Sequence, residues 1–116
     1  RSGAGHAAAD YVAAWQEIDA ARSKWATRVA GYDAVLLPSA PILPPDAERL
    51  MTDSDYYITE NLLSLRNTRI GNLLGLPAIT LPTDTPSCGI LFMGAAFEEE
   101  KLLRVAAAAE KVLSST

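Results

Sequence analysis

The sequence holds a single cysteine, Cys88, and a single histidine, His6. One cysteine excludes an intramolecular disulfide and a cysteine metal cluster, and one histidine removes most zinc and iron ligand sets. Basic residues are outnumbered, ten against fourteen acidic ones, leaving a net charge of −4. That sign repels phosphate backbones, and no basic stripe with interleaved aromatics is present, so nucleic-acid binding by this segment is not expected. No apolar run approaches the length of a membrane span. The opening stretch Arg1–His6 lacks the apolar core of a signal peptide. The default compartment is then a reducing cytoplasm. A Gly-rich phosphate loop is missing too, because Gly71 and Gly75 are separated by a helical turn of largely apolar residues.

Against these absences stands a globular composition, 49 % hydrophobic and 21 % charged, in a chain of 116 residues. That length fits one domain, 1–116, with a modest core. The first element is expected as a long helix from Ala7 to Ala30. Tyr11, Trp15, Ile18, Trp25 and Val29 recur on one face, and Gly31 stops it. Arg22 falls in the same stripe, where its stem covers apolar surface and its head reaches an edge or a carboxylate. A sharper reading gives Arg22 a substrate carboxylate.

Asp33–Leu37 is an apolar run without alternation, expected as a strand covered on both faces. Pro38, Pro41, Pro44 and Pro45 then impose a stiff loop, and residues 38–56 form a proline-rich loop and polar connection. Asp53, Ser54 and Asp55 are available as helix caps. A second helix is expected from Tyr57 to Leu74, ended by Gly75 in a left-handed cap. Ala78–Leu81, bracketed by Pro77 and Pro82, reads as a short strand. The turn Thr83–Ser87 leads into a third strand, Cys88–Gly94, so the last two strands pair as an antiparallel hairpin. The first two, joined through a helix, are expected to run parallel. A final helix starts near Phe97 and buries Leu102, Ala106, Ala109 and Leu113. The fold class is thus α/β: a small mixed sheet of about three strands covered by helices.

Each chemical candidate has an ordinary reading beside it. Cys88 lacks a base within reach, so a small buried apolar residue at a strand edge is the better description. Glu98–Glu100 offset a helix dipole rather than bind a cation. Asp53 and Asp55 have part of a calcium-loop spacing, without its glycine and terminal glutamate. Lys24, Lys101 and Lys111 sit among helix charges, not in the desolvated setting of a lysine base. Ser114–Ser115 is a tail. Composition and spacing therefore give a domain with no catalytic or metal-ligating residue of its own.

The stretch Asn67–Pro82 (NTRIGNLLGLPAITLP) resembles the C-terminal part of amidase-signature enzymes, where a helix with Asn-x-x-Gly-x-Pro enters an apolar strand ending in proline. Tyr32–Pro41 is similar to that family's strand and proline loop, Cys88–Gly94 to its next strand, and Phe97–Glu110 to its closing helix. The Tyr11–Arg22 helix also fits. Two departures are Leu91, where glutamine is frequent, and Ser39, where threonine is commoner.

The resemblance implies a C-terminal segment of a larger amidase, or of the A subunit of an amidotransferase. It would cleave carbon–nitrogen amide bonds of a small-molecule substrate through a Ser–cisSer–Lys set outside this chain, without metal or organic cofactor. Ser39, Thr68 and Asn72 are the expected polar residues near substrate. For Asn72 the competing reading is a bond to backbone at the helix–strand junction, and for Ser39 a bond within its loop. A non-catalytic α/β interaction or regulatory domain on the same scaffold is the alternative. Loss of the remaining sheet would leave an open strand edge and apolar face, so the isolated chain is expected to self-associate and to lack amidase activity.

Overall fold

The structure, a computed structural model, describes residues 2–113; the tail at Ser114–Ser115 lies outside them. Helix α1 spans Ala8–Val29, followed by β1 (Val35–Pro38), α2 (Ala47–Thr52), α3 (Ser54–Ser64) and α4 (Arg66–Leu74). Strands β2 (Ala78–Pro82) and β3 (Gly89–Met93) and helix α5 (Glu99–Leu113) complete the chain. The α/β class expected from the sequence is the class observed.

The sheet order is β1-β3-β2, with β3 in the middle and antiparallel to both neighbours. The expected hairpin is therefore present between β2 and β3. β1 and β2 do point the same way, but they never touch, because β3 inserts between them. Every hydrogen-bonded pair is antiparallel, which corrects the mixed sheet.

Alternation along the strands divides the core in two. Ile79 and Leu81 of β2, with Ile90 and Phe92 of β3, face α5 and pack on Leu102 and Ala106. Leu91 and Met93 are buried on the opposite face. There Gly71 of α4 lies over Met93: an added Cβ would stand 3.6 Å from its Cε.

Three expectations need correction. β1 is not covered on both faces; its burial alternates, and Leu36 is 54 % exposed, because β1 is an edge strand and α5 packs on β2 and β3 instead. The single helix expected over Tyr57–Leu74 is two, α3 and α4, joined at Leu65, whose φ of −89° and ψ of −2° depart from ideal helical geometry. The connection before it also contains α2, capped by Asp46, whose side chain accepts from Arg49 N–H at 2.8 Å. A six-residue helix gives too little periodicity to read.

Gly75 ends α4 as expected, in the left-handed region at φ 68°. α1 ends at Val29 with Ala30 as cap, and Gly31 keeps a negative φ. α5 starts at Glu99, two residues after Phe97, which holds a positive φ of 63° with its ring 94 % exposed.

The assembly is flat, 52 × 43 × 19 Å, with a radius of gyration of 17.4 Å. A compact chain of this length would have about 13 Å. Tyr11, Val12 and Trp15 on the first half of α1 are exposed, so the stripe that packs is Ile18, Arg22, Trp25 and Val29. Among the described residues no helix is long and apolar enough to cross a membrane.

Candidate functional site

Two places bring polar groups together, at opposite ends of the sheet. The first lies where β1 runs into its proline loop. Ser39 extends the ladder past β1, its N–H donating to Gly89 O at 2.9 Å, and its Oγ donates to Thr80 Oγ1 at 3.2 Å. These side chains meet because strand pairing places them on one face over Gly89, which has none. A Cβ at Gly89 would stand 2.7 Å from Ser39 Oγ and 2.9 Å from Thr80 Cγ2, so a glycine is required here. Asn67 Nδ2, from the first turn of α4, donates to Pro38 O at 2.8 Å and ties helix to strand end.

Of the residues expected near substrate, the structure brings Ser39 to the strand end and fixes its hydroxyl on Thr80. Thr68 is half-buried on α4, and its Oγ1 donates to Leu65 O at 3.2 Å, covering a carbonyl at the α3–α4 break. Asn72 is exposed on α4, and no side-chain hydrogen bond ties it to the helix–strand junction among the described residues. The backbone-bonding asparagine is Asn67, one turn earlier. Both asparagines occur in the same motif, and nothing in the spacing separates them; helix rotation relative to β1 does.

The second place is a cavity of about 460 Å³ at the other end of the sheet, lined by α1, the start of β1, the end of α4 and the entry to α5. Trp25, Val29, Val35, Leu76 and Met93 make its wall apolar, and Arg22 and Lys101 bring charge. Neither Ser39, Thr68 nor Asn72 lines it.

Both cations are engaged. Arg22 Nε donates to Leu73 O at 3.1 Å and NH1 pairs with Asp19 at 3.3 Å, while the guanidinium lies 5.4 Å over the Trp15 ring. The reading in which Arg22 reaches an edge and a carboxylate of the protein itself is the observed one. Lys101 Nζ pairs with Asp33 at 3.1 Å and Glu98 at 3.8 Å, and its hydrogen bond to Asp33 holds its pKa above the ordinary lysine value.

Cys88 is exposed in the turn before β3, correcting the expectation of a buried thiol; its carbonyl, not its sulfur, is engaged, accepting from Thr83 Oγ1 at 2.9 Å. Among the described residues no group of three or more His, Cys, Asp or Glu side chains is arranged to hold a metal ion.

Comparison with known proteins gives sequence relatives. The chain is 34 % identical over 85 residues to the glutamyl-tRNA(Gln) amidotransferase A subunit of Halobacterium salinarum, covering 71 % of this chain and 19 % of that protein. It is 35 % identical over 82 residues to the protein of the same name from Fusobacterium nucleatum, covering 68 % and 16 %. An uncharacterised protein in the nthA 5′ region of Rhodococcus erythropolis is 25 % identical over 107 residues, 90 % of this chain and 54 % of the relative. The chain thus spans less than a fifth of the length of these amidotransferase subunits. No family model and no solved structure matches.

Proposed function

We propose that this chain is the C-terminal portion of an amidase-signature enzyme, acting in the cytoplasm as a single structural unit of a larger protein. The observation that carries the reading is the pair of matches at 34 % and 35 % identity to amidotransferase A subunits, each covering about seven tenths of this chain and under a fifth of the relative. The flat, thinly covered architecture supports it, since a sheet with open edges and apolar faces on view suits a part of something larger.

The reaction of the whole enzyme is hydrolysis of a carbon–nitrogen amide bond, or release of ammonia for transfer. A neutral lysine takes a proton from a bridging serine, which takes one from the nucleophilic serine as it attacks the amide carbon. Backbone N–H groups hold the oxyanion; the amine or ammonia leaves with a proton, and water hydrolyses the acyl-enzyme. Those groups are supplied from outside this chain. Ser39, Thr68 and Asn72 contribute pocket wall: the strand-end loop that follows β1 is a common place for ligand contacts, and the Asn72 amide is open to solvent.

The test begins with the gene. In-frame coding sequence upstream of Arg1 should specify a Gly/Ser-rich stretch preceded by a lysine. The protein that includes it should hydrolyse small amides and lose that activity when its serine becomes alanine, while the 116-residue chain alone turns nothing over. Amide hydrolysis by the chain alone, surviving Ser39→Ala and Cys88→Ala, would overturn the reading.

A further inference from the structure

Among the described residues, two that are not glycine hold a left-handed backbone, Ser87 at φ 62° and Phe97 at φ 63°. Each is the third residue of a turn. Cys88 N–H donates to Thr85 O at 3.1 Å across Ser87, and Glu98 N–H donates to Ala95 O at 3.1 Å across Phe97. A turn with positive φ at its third position alone is the type II form, whose ordinary occupant there is glycine.

Ser87 is an ordinary substitute: small, exposed and preceded by Pro86, which sets the φ that the second position needs. Phe97 is not. A left-handed backbone strains a residue with a Cβ, and packing offsets none of that strain, because Phe97 is 94 % exposed. A solvated aromatic by itself is common. Here it coincides with the strain, and both disfavour phenylalanine within this chain. Glycine would suit the turn better and lose no contact.

We propose that Phe97 is an anchor, held out on its turn to enter an apolar pocket in the remainder of a longer polypeptide. This rests on the reading of the chain as part of such a protein, whose amidotransferase relatives it matches over under a fifth of their length. Contact area favours that occupant over a separate molecule. One aromatic ring buries about 200 Å², whereas a stable interface between separate proteins needs about 1,200 Å² or more. Within one polypeptide the high effective concentration makes a small contact sufficient.

The surroundings suit an insertion. Ala95 and Ala96, just before the ring, are exposed and small, so a covering surface can approach its base. Both also line the cavity walled by Trp25 and Val29, so a surface that takes in the ring meets the cavity mouth as well. The turn fixes the direction of the ring in advance, which lowers the entropy lost on docking.

The test separates ring from backbone. Phe97→Ala removes the ring and keeps the strain, whereas Phe97→Gly removes both. In the longer polypeptide encoded with this chain, both variants should lower the melting temperature by a few degrees, alanine by more. In the 116-residue chain, Phe97→Ala should change little and Phe97→Gly should raise it. Phe97→Trp reads burial directly: the emission it adds to the longer polypeptide should be blue-shifted and shielded from acrylamide. Circular dichroism establishes that each variant folds. A Phe97→Gly gain in the longer polypeptide, or added emission quenched as freely as in denaturant, would overturn the anchor. So would a stability loss that varies with protein concentration, which would place the pocket on a second copy. A longer protein that hydrolyses amides yet gains stability from Phe97→Gly sinks the anchor and leaves the amidase reading standing. One that is inert toward amides yet loses stability with Phe97→Ala does the reverse.

Discussion

Arg22 Nε donates to the carbonyl of Leu73 at 3.1 Å, joining α1 to the last turn of α4 across 51 residues of sequence. The bond uses one of the carbonyls that a helix leaves unsatisfied at its C-terminus, where the helix dipole also favours a cation. The neighbouring pair with Asp19, by contrast, is an exposed bridge within α1, where the medium screens the attraction. Arg22→Ala should therefore lower stability by about 1 kcal/mol, more than Asp19→Asn, which should cost under about 0.5 kcal/mol. Denaturant melts measure both, and hydrogen exchange should speed up in α1 before the sheet.

Gly89→Ala should destabilise by about 1–3 kcal/mol, because its Cβ collides with two short side chains that have little freedom to move. Ser39→Gly removes the nearer of them. If the collision is the cause, the double variant recovers part of the loss, and a double-mutant cycle gives a coupling of the same sign.

Gly75 and Phe97 share a left-handed backbone, at φ 68° and 63°, with opposite chemistry. Gly75→Ala should cost about 1–2 kcal/mol, the penalty of a Cβ in that region. Phe97→Gly should raise the melting temperature, since the ring is almost wholly solvated and has little packing to lose. Thermal melts of the two variants side by side check the pair.

Stability should fall at both ends of the pH scale through two identifiable groups. Asp53 caps α3, and the Tyr56 N–H it accepts holds its carboxyl below the usual carboxylate range, with Arg49 adding to this. Its folded pKa lies below the unfolded value, so the contribution is complete above the unfolded pKa and is lost as pH falls through the folded one. Lys101 is the reverse case: its pKa is raised by Asp33, so its contribution is complete below the unfolded value and is lost as pH climbs through the folded one. Melting temperature against pH should show a shallower acid limb in Asp53→Asn and a shallower alkaline limb in Lys101→Met.

The elements are legible where the pattern is long or the punctuation strong. α1, the β2–β3 hairpin and the Leu102, Ala106, Ala109, Leu113 stripe of α5 follow from periodicity within one segment, and the structure contains each of them. The break at Leu65 is not legible, since leucine is a good helix former and tertiary packing overrides that preference there. The candidate site is legible only in part. Ser39 is at the strand end, but its partner Thr80 is 41 residues away. Cys88 escapes the pattern because β3 starts one residue later than the apolar run suggests, which leaves the thiol in the turn.

The sequence by itself determined that this is an α/β chain with helices and strands in a given order, and that its one cysteine can form no disulfide within these 116 residues. These follow from local spacing and from counting. Only the tertiary structure decided that β3 lies between β1 and β2, that Asn67 rather than Asn72 bonds the strand end, and that Arg22 closes α4. Each depends on which distant segments meet, and the hydrogen-bond geometry that selects among them exists only once the helices have settled on the sheet.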